Sequence, residues 1–551
     1  MPLHDYSDLF PLKQIRSIQK DAIDFIIDSF EKGTKVVILD AGTGTGKSSI
    51  GVTVARYLQK FGAKKYDLEG SELTGAYILT TQKILQEQYV TDFGQKSKTD
   101  LLRSIKSSSN YRCKFYTDQS CAESRRVLNK LGKLVVGTDF HKCCKGSCTY
   151  ALEKRDFVDS PISITNFSYF LAETIYAGTL KPRQLLIVDE AHNIESELGK
   201  FTEVTFSERF AKDIIKCKIP RLDSQDAVFN WIKGPYLKSL TKHTKEIEKL
   251  IHSKFNQNSD ISNFSEQSKQ YEMLDKHICK INRFVTEYDE KNWVMNIIKP
   301  LNSRQQRKFE FKPIDVSRYG DNLLFKYGGQ VLLMSATIVN KQTFCETTGL
   351  NPDDVDYIRI PSPFPVENRP IHYIPVGSMS RDSIDKTLPI MVETIKMLLE
   401  QHSKEKGIIH CVSFKTAQFI TNQLKSSRIL IHDSNNRDDV LKFHLENNKP
   451  TVLLSPSMTE GVDLVGDSSR FQILCKVPYP YLGDLVIKKR MQLNKSWYGY
   501  QTAKSITQAF GRSIRNETDH AISYILDSDW KRFINENKHM FPEEFLSAII
   551  K

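Results

Sequence analysis

Two sets of short apolar runs, each ending in a polar or glycine-bearing turn, restrict this chain more than any other feature of its sequence. The first set is VVIL at 36–39, AYIL at 76–79, LLIV at 185–188 and VLLM at 331–334. The second is GIIHCVSF at 407–414, ILIHD at 429–433, TVLLS at 451–455, FQILCKV at 471–477 and AISYILD at 521–527. Runs this short and this apolar read as parallel strands buried on both faces, with helical patterns between them. Such alternation in two blocks predicts two parallel-sheet α/β domains. They are joined by SPFPVENRP at 362–370, a proline-punctuated linker. Beyond it lies an amphipathic stretch, 384–399, with Ile384, Leu388, Met391, Val392, Ile395 and Leu399 on one face.

A chain of 551 residues exceeds one ordinary core. The first domain is expected at 1–99, 161–199 and 313–370, interrupted by a cysteine-bearing insertion at 100–160 and a polar, helical one at 200–312. The second domain is expected at 371–551. In the longer insertion Leu237, Leu240, Ile247 and Ile251 recur at helical spacing, and Lys238, Lys242, Lys245 and Lys249 read as the solvated face behind them. With 40% hydrophobic and 26% charged residues the chain is neither disordered nor fibrous. Its formal charge of +12 favours polyanionic partners without proving them. The first residues, MPLHDYSDLF, lack a basic and then apolar leader, and no run has the length of a membrane span, so the chain is expected inside the cell and in water. In that reducing compartment ten cysteines do not form a disulfide framework. Cys217, Cys279, Cys345, Cys411 and Cys475 are scattered and read as packing residues. Cys113, Cys121, Cys143, Cys144 and Cys148 are gathered and point to metal or catalysis.

AGTGTGKSS at 41–49 follows a strand and opens a helix, as a phosphate loop requires. Gly44 and Gly46 let backbone N–H groups, that of Thr45 among them, turn around an anion at the helix N-terminus. Lys47 can reach β and γ phosphates, and Ser48 can hold Mg²⁺. LLIVDEAHN at 185–193 brings Asp189 and Glu190 to the carboxyl edge of a strand. There Asp189 can bind the metal and Glu190 can orient and deprotonate a water. QAFGRSIRN at 508–516 adds Gln508, and places Arg512 and Arg515 on one helix face to meet transferred phosphoryl charge. Together these residues point to nucleoside triphosphate hydrolysis.

The ordered series RSIQ (16–19), AGTGTGKS, LTTQKILQEQ (79–88), DEAH, MSATI (334–338), SPSMTEGVDL (455–464) and QAFGRSIR resembles a superfamily 2 helicase. The cysteine insertion, NYRC (110–113), ITNFSYFL (164–171) and SPFPVENRP narrow the resemblance to the iron–sulfur helicases of the XPD/DinG family. It covers nearly the whole chain. It implies two RecA-like motor domains, the first carrying an iron–sulfur insertion and a helical arch. It also implies that Arg16 and Gln19 contact the adenine of ATP, that Ser335 and Thr337 couple the motor domains, and that Gly461 and Asp463 flank the nucleotide. Two departures stand out: Gly42 replaces a common proline, and DSDW at 527–530 replaces a D-x-R-F-like phrase. Four thiolates suit either zinc or an iron–sulfur cluster, and seven residues between Cys113 and Cys121 are long for a zinc hook. With the resemblance, the expected ligands of a 4Fe–4S cluster are Cys113, Cys121, Cys144 and Cys148, with Cys143 the alternative third ligand. Tyr111, Phe115 and Tyr150 are rings that either pack or stack on bases. The implied activity is ATP- and Mg²⁺-dependent unwinding of tailed or forked duplex DNA by a monomer moving 5′ to 3′ on single strands, without membrane association. The alternative is a translocase that remodels protein–nucleic-acid complexes without parting strands.

Overall fold

Each of these apolar runs contributes a strand to one of two parallel sheets in the computed structural model. The structure describes every residue except 1, 43, 68, 95–101, 133–136, 221, 259–264, 300–305, 433–435, 457–463, 465, 515–517 and 551. The first sheet contains β1 (Val36–Ala41), β2 (Ala76–Thr80), β3 (Leu102–Ser104), β4 (Ile162–Asn166), β5 (Arg183–Asp189), β6 (Gly328–Ser335) and β7 (Val355–Ile360). Their order across the sheet is β7, β1, β6, β5, β2, β4, β3, all parallel. Alternate residues of β1 enter opposite cores: Val37 and Leu39 pack with one set of buried side chains, Val36 and Ile38 with the other. A sheet covered on both faces therefore needs the unbroken apolar runs seen in the sequence.

Helix α1 (Ser17–Glu31) buries Ala22, Ile23, Ile26, Ile27 and Phe30 along one stripe over the first of those faces. Helix α2 (Lys47–Phe61) starts where the phosphate loop ends, and α3 (Lys83–Phe93) follows β2. The registers Asp40↔Ser335 and Asp189↔Met334 set the carboxyl ends of β1, β6 and β5 side by side. That sheet edge is where open α/β sheets hold ligands.

The second sheet is built from β8 (Ile371–Gly377), β9 (Gly407–His410), β10 (Ile429–Ile431), β11 (Val452–Ser455), β12 (Phe471–Leu474), β13 (Ile522–Asp527) and β14 (Ile549–Ile550), ordered β10, β11, β9, β12, β13, β8, β14 and again all parallel. The expected amphipathic helix spans Ile384–Gln401 and buries Leu388, Met391, Val392, Ile395, Leu398 and Leu399, each contributing about 2 kcal/mol of apolar burial.

The insertions differ in detail from expectation. Strand β3 lies inside the supposed cysteine insertion yet pairs with β4, so the sheet extends through residue 104. Three residues are too few to show a period. The longer insertion is not helical throughout: Val204–Ser207, Lys308–Pro313 and Trp293–Ile298 form a three-stranded antiparallel sheet beside the helices Leu237–Asn258 and Ser265–Glu287. Lys238, Lys242, Lys245 and Lys249 are exposed, while Leu240, Ile247 and Ile251 are buried. Tyr116, Val127 and Leu128 of the cysteine insertion share one core with Ile251, Tyr271 and Leu274 of the longer one. Of the scattered cysteines, Cys217, Cys345, Cys411 and Cys475 are buried packing residues, whereas Cys279 is exposed.

Candidate nucleotide cleft and thiol site

The phosphate loop is held from behind by α1. Gly46 has φ +81°, and a Cβ on it would lie 2.4 Å from Gln19 Nε2. Only glycine lets the loop pass so close in that conformation. Gln19 is 1% exposed and uses both ends of its amide: Nε2 donates to the Thr45 carbonyl at 2.9 Å, and Oε1 accepts from the Arg16 N–H at 3.0 Å. Arg16 reaches the same glycine. Thr45 closes the loop through its hydroxyl, which donates to the Gly42 carbonyl at 2.8 Å. The linker roofs this loop. A Cβ on Gly42 would meet the Ser362 backbone nitrogen at 2.6 Å, which is why a proline is not accommodated there, and the Phe364 ring lies directly against Gly44.

Ser48 and Asp189 meet through a residue the sequence reading did not single out. The hydroxyl of buried Tyr89, on α3, donates to Asp189 Oδ2 at 2.8 Å and is also hydrogen-bonded to Ser48. Burial, and then the neighbouring Glu190, push the Asp189 carboxyl up to about 6, opposed by Lys47 and by the Tyr89 hydrogen bond. A serine hydroxyl and a carboxylate brought to one point form a donor set that suits Mg²⁺. Glu190 itself sits in the left-handed region at φ 55°, a costly conformation for a glutamate and one that turns its side chain out of the strand line.

From Glu190 a chain of polar contacts crosses to the second domain. His192 Nδ1 lies 2.8 Å from Ser335 Oγ and 3.3 Å from Glu190. Burial, with the charges of Lys504, Lys47 and Arg512, drives His192 well below its ordinary range, so it is neutral and its approach to Glu190 is not an ion pair. Ser335 Oγ accepts from the Thr337 N–H at 3.0 Å, and Thr337 Oγ1 accepts from Gln508 Nε2 at 3.2 Å. A cavity of about 400 Å³ lies along this chain of contacts, with Gly42, Glu190, His192 and Thr337 on one wall and Gln508 and Arg512 on the other; Lys47, Ser48 and Asp189 do not line it. Gly461, Asp463 and Arg515 lie outside the described residues.

The five gathered cysteines converge. The Cys113 N–H donates to the Gln119 carbonyl at 2.9 Å and the Cys121 N–H to the Tyr111 carbonyl at 2.7 Å, closing the loop between them. Cys121 starts the helix Cys121–Lys130; Cys148 caps the helix Thr149–Asp159, its sulfur accepting from the Ala151 N–H at 3.3 Å. The Cys121 thiol donates to the Cys148 sulfur, which with the Ala151 bond lowers Cys148 to about 6. Cys144 is pushed up to about 11 by burial and then by the charge on Cys148, with Cys143 and Cys113 also close enough to contribute. Among the described residues no three His, Cys, Asp or Glu side chains already stand in metal-ligating geometry. The donor chemistry nevertheless suits a soft metal centre: thiols from three segments gather around one partly buried point beside Arg125. Tyr150 is 3% exposed and bonded to Tyr169, so it packs; Phe115, 46% exposed, is the ring of the three that faces solvent.

Comparison with known proteins falls on the same elements. Residues 12–219 match the family model described as type III restriction enzyme, res subunit, and residues 396–547 match the helicase C-terminal domain. The ATP-dependent DNA helicase DinG of Photobacterium profundum is 26% identical over 41% of this chain and 35% of its own, so the chain spans about a third of that relative. A probable ATP-dependent helicase of Methanocaldococcus jannaschii is 20% identical over 97% of this chain and 95% of its own. A solved XPD helicase superposes with a TM-score of 0.63 over 96% of this chain and 98% of that one, at 15% identity.

Together these matches support an XPD/DinG-type superfamily 2 helicase.

The two parallel-sheet domains fit the RecA-like fold of such helicases, and the cavity lies between them. Among the described residues no helix is long and apolar enough to cross a membrane. Tyr89 and the linker pair Ser362 and Phe364 are the site neighbours that motif reading passed over. Tyr89 follows LTTQKILQEQ directly, and Phe364 stands inside SPFPVENRP, which reads in the sequence as a linker with no part at the phosphate loop.

Proposed function

We propose that the protein hydrolyses ATP in the cleft between its motor domains and uses the resulting opening and closing to move on single-stranded DNA and part duplexes, 5′ to 3′. The observation that carries this reading is the cavity whose walls come from both motor domains, with Glu190 on one and Arg512 on the other. The phosphate loop amides and Lys47 bind the triphosphate, and Arg16 and Gln19 lie on its adenine side. Ser48 and Asp189 would hold Mg²⁺, which when bound neutralises phosphate charge. Glu190, turned out of its strand, orients a water and takes its proton as the water oxygen bonds to the γ phosphorus and the bond to the β–γ bridging oxygen breaks. Arg512, with Gln508 and Arg515, meets the charge that builds on the transferred group. Loss of the γ-phosphate removes the anion that both walls share, and the cleft reopens.

Cys113, Cys121, Cys144 and Cys148 would hold a 4Fe–4S cluster, which when bound links the segments around it as a covalent staple. Cys143 is the fifth thiol in the same place. The cysteine insertion then forms a rigid piece against which strands separate, with Phe115 available to stack on an unpaired base. The test is ATP turnover with and without single-stranded DNA, beside strand displacement from duplexes with a 5′ or a 3′ tail. Stimulated turnover and displacement of the 5′-tailed substrate are expected. Turnover without displacement of any tailed duplex would leave a translocase or remodeller instead.

A further inference from the structure

The reading of ATP turnover in the interdomain cleft leaves one strongly engaged carboxylate unexplained. Glu195 is the second residue of helix α4 (Ile194–Thr202), which follows the DEAH segment directly. Its side chain is 13% exposed, and its charged end is taken up wholly by the other motor domain. Arg490 Nη1, on α5 (Leu485–Leu493), reaches Oε1 at 2.8 Å; the Trp497 indole N–H donates to Oε1 at 2.9 Å, and Gln501 Nε2 donates to Oε2 at 2.8 Å. Arg490 also lies over the Trp497 ring at 4.7 Å, so the donors brace one another.

Trp497 and Gln501 belong to α6 (Lys495–Phe510), and the pattern continues along it. Trp497, Gln501, Lys504 and Gln508 recur at intervals of four, three and four residues and so share one helix face. Each meets the first motor domain: Glu195 twice, then the His192 carbonyl at 3.4 Å from Lys504, then Thr337 Oγ1 from Gln508. Tyr500, Ala503 and Ile506 pack beside that row in the same buried cluster as Ile338 and Phe344 of the first motor domain. The row spans about 16 Å of helix. Its far end is the charged anchor and its near end is Gln508; α6 stops at Phe510, so Arg512 follows in a turn rather than on the expected helix face, and both line the cavity with Glu190.

We propose that Glu195 is a positioning residue that fixes the register of α6 against the DEAH segment, so that Gln508 and Arg512 face the nucleotide. It touches neither nucleotide nor metal. A helix pinned at one end by three convergent donors cannot slide by a fraction of a turn, whereas one that lost the anchor would carry its catalytic end off line.

The experiment measures DNA-stimulated ATP turnover by the full chain. Glu195→Ala is expected to lower kcat about tenfold or more while KM for ATP moves by less than about threefold, because the lost alignment is felt in the transition state. Combined with Arg512→Ala, it should slow the enzyme by no more than about twofold beyond Arg512→Ala alone, since aligning an absent guanidinium is worth nothing. A merely structural role would multiply the two losses. Gln501→Glu sets two carboxylates against each other and should lose kcat; the exchange Glu195→Gln with Gln501→Glu restores a donor–acceptor pair and should recover most of it. That pair carries the test should Glu195→Ala fail to fold. Unchanged kcat in Glu195→Ala, multiplied losses in the double variant, or a folded exchange variant without recovery would each overturn the proposal. A parent chain that turns over no ATP would instead remove the cleft reading beneath it before any variant is compared.

Discussion

The phosphate loop and the thiol cluster both belong to the part of the chain that builds the first parallel sheet and its insertions, yet they are braced in opposite ways. The phosphate loop springs from β1, which lies between β6 and β7 in a sheet buried on both faces, and Gln19 pins it from behind. Apart from Gln19, its functional side chains, Lys47 and Glu190 among them, can leave without disturbing what holds the loop. Among the described residues the cysteine insertion beyond β3 has no sheet of its own, and it leans on the core of the longer insertion through Tyr116, Val127 and Leu128. There two of the candidate ligands, Cys121 and Cys148, are themselves buried, and Cys113 and Cys144 are partly so. In the first site the scaffold and the chemistry are separable; in the second they are the same atoms.

The largest effect should come from the separable site. Lys47→Ala or Glu190→Gln is expected to cut ATP turnover by about 10³-fold, with the thermal midpoint unmoved, as measured by steady-state kinetics beside calorimetry. A matching fall in the midpoint would break the contrast. Cys148→Ser tests the other side cleanly, because serine is a better helix cap than the thiol it replaces and keeps the bond from Ala151. Loss of bound iron and of amide protection across 111–150, with ATP turnover retained, is expected from metal analysis and hydrogen exchange. Full protection in an iron-free variant would show that the insertion stands without its thiols.

The sheets have a weakness of their own, to acid. His444 is fully buried, held between Thr451 at 2.9 Å and the Ser468 carbonyl at 2.8 Å, and burial lowers it to about 4. The unfolded chain protonates this ring near 6.5 and the folded chain resists until about 4. Its contribution is therefore whole above pH 6.5 and disappears as pH falls toward 4, a change of about 3 kcal/mol. His444→Gln should flatten the fall of the thermal midpoint across that window. A smaller effect should follow from Tyr89→Phe. The Tyr89 hydroxyl donates to Asp189 and favours its charged form, so its removal should raise the Asp189 carboxyl above its present position near 6. The acidic limb of kcat/KM would then move up by about half a pH unit to one unit. An unmoved limb would mean that Asp189 does not set it.

Much of this was legible in the residues, for reasons that are local. A strand buried on both faces must be apolar at every position, and a loop that wraps an anion must have glycine where φ is positive. Hence the nine runs and AGTGTGKSS were readable without a partner in view. What escaped depends on distance along the chain. Tyr89 earns its place through an aspartate 100 positions away, and Glu195 through a tryptophan 302 positions away. No spacing rule reaches that far. The antiparallel sheet of the longer insertion is an intermediate case: KFEFKP at 308–313 alternates cleanly, with Phe309 and Phe311 fully buried, but its partners lie near both ends of a segment dominated by two long helices. The helical period there was easier to see than six residues of alternation.

The position of β1 has a further consequence, for biosynthesis. Both of its neighbours are made late, since β6 begins at Gly328 and β7 ends at Ile360. At ordinary translation speeds roughly 15 to 60 s pass between the emergence of the strand and that of the second of its supports. Until then its two hydrogen-bonding edges stay open, which exposes the nascent chain to pairing with other molecules. A fragment ending before Gly328 should accordingly aggregate and fail to retain nucleotide, even though it carries the complete phosphate-loop and DEAH segments.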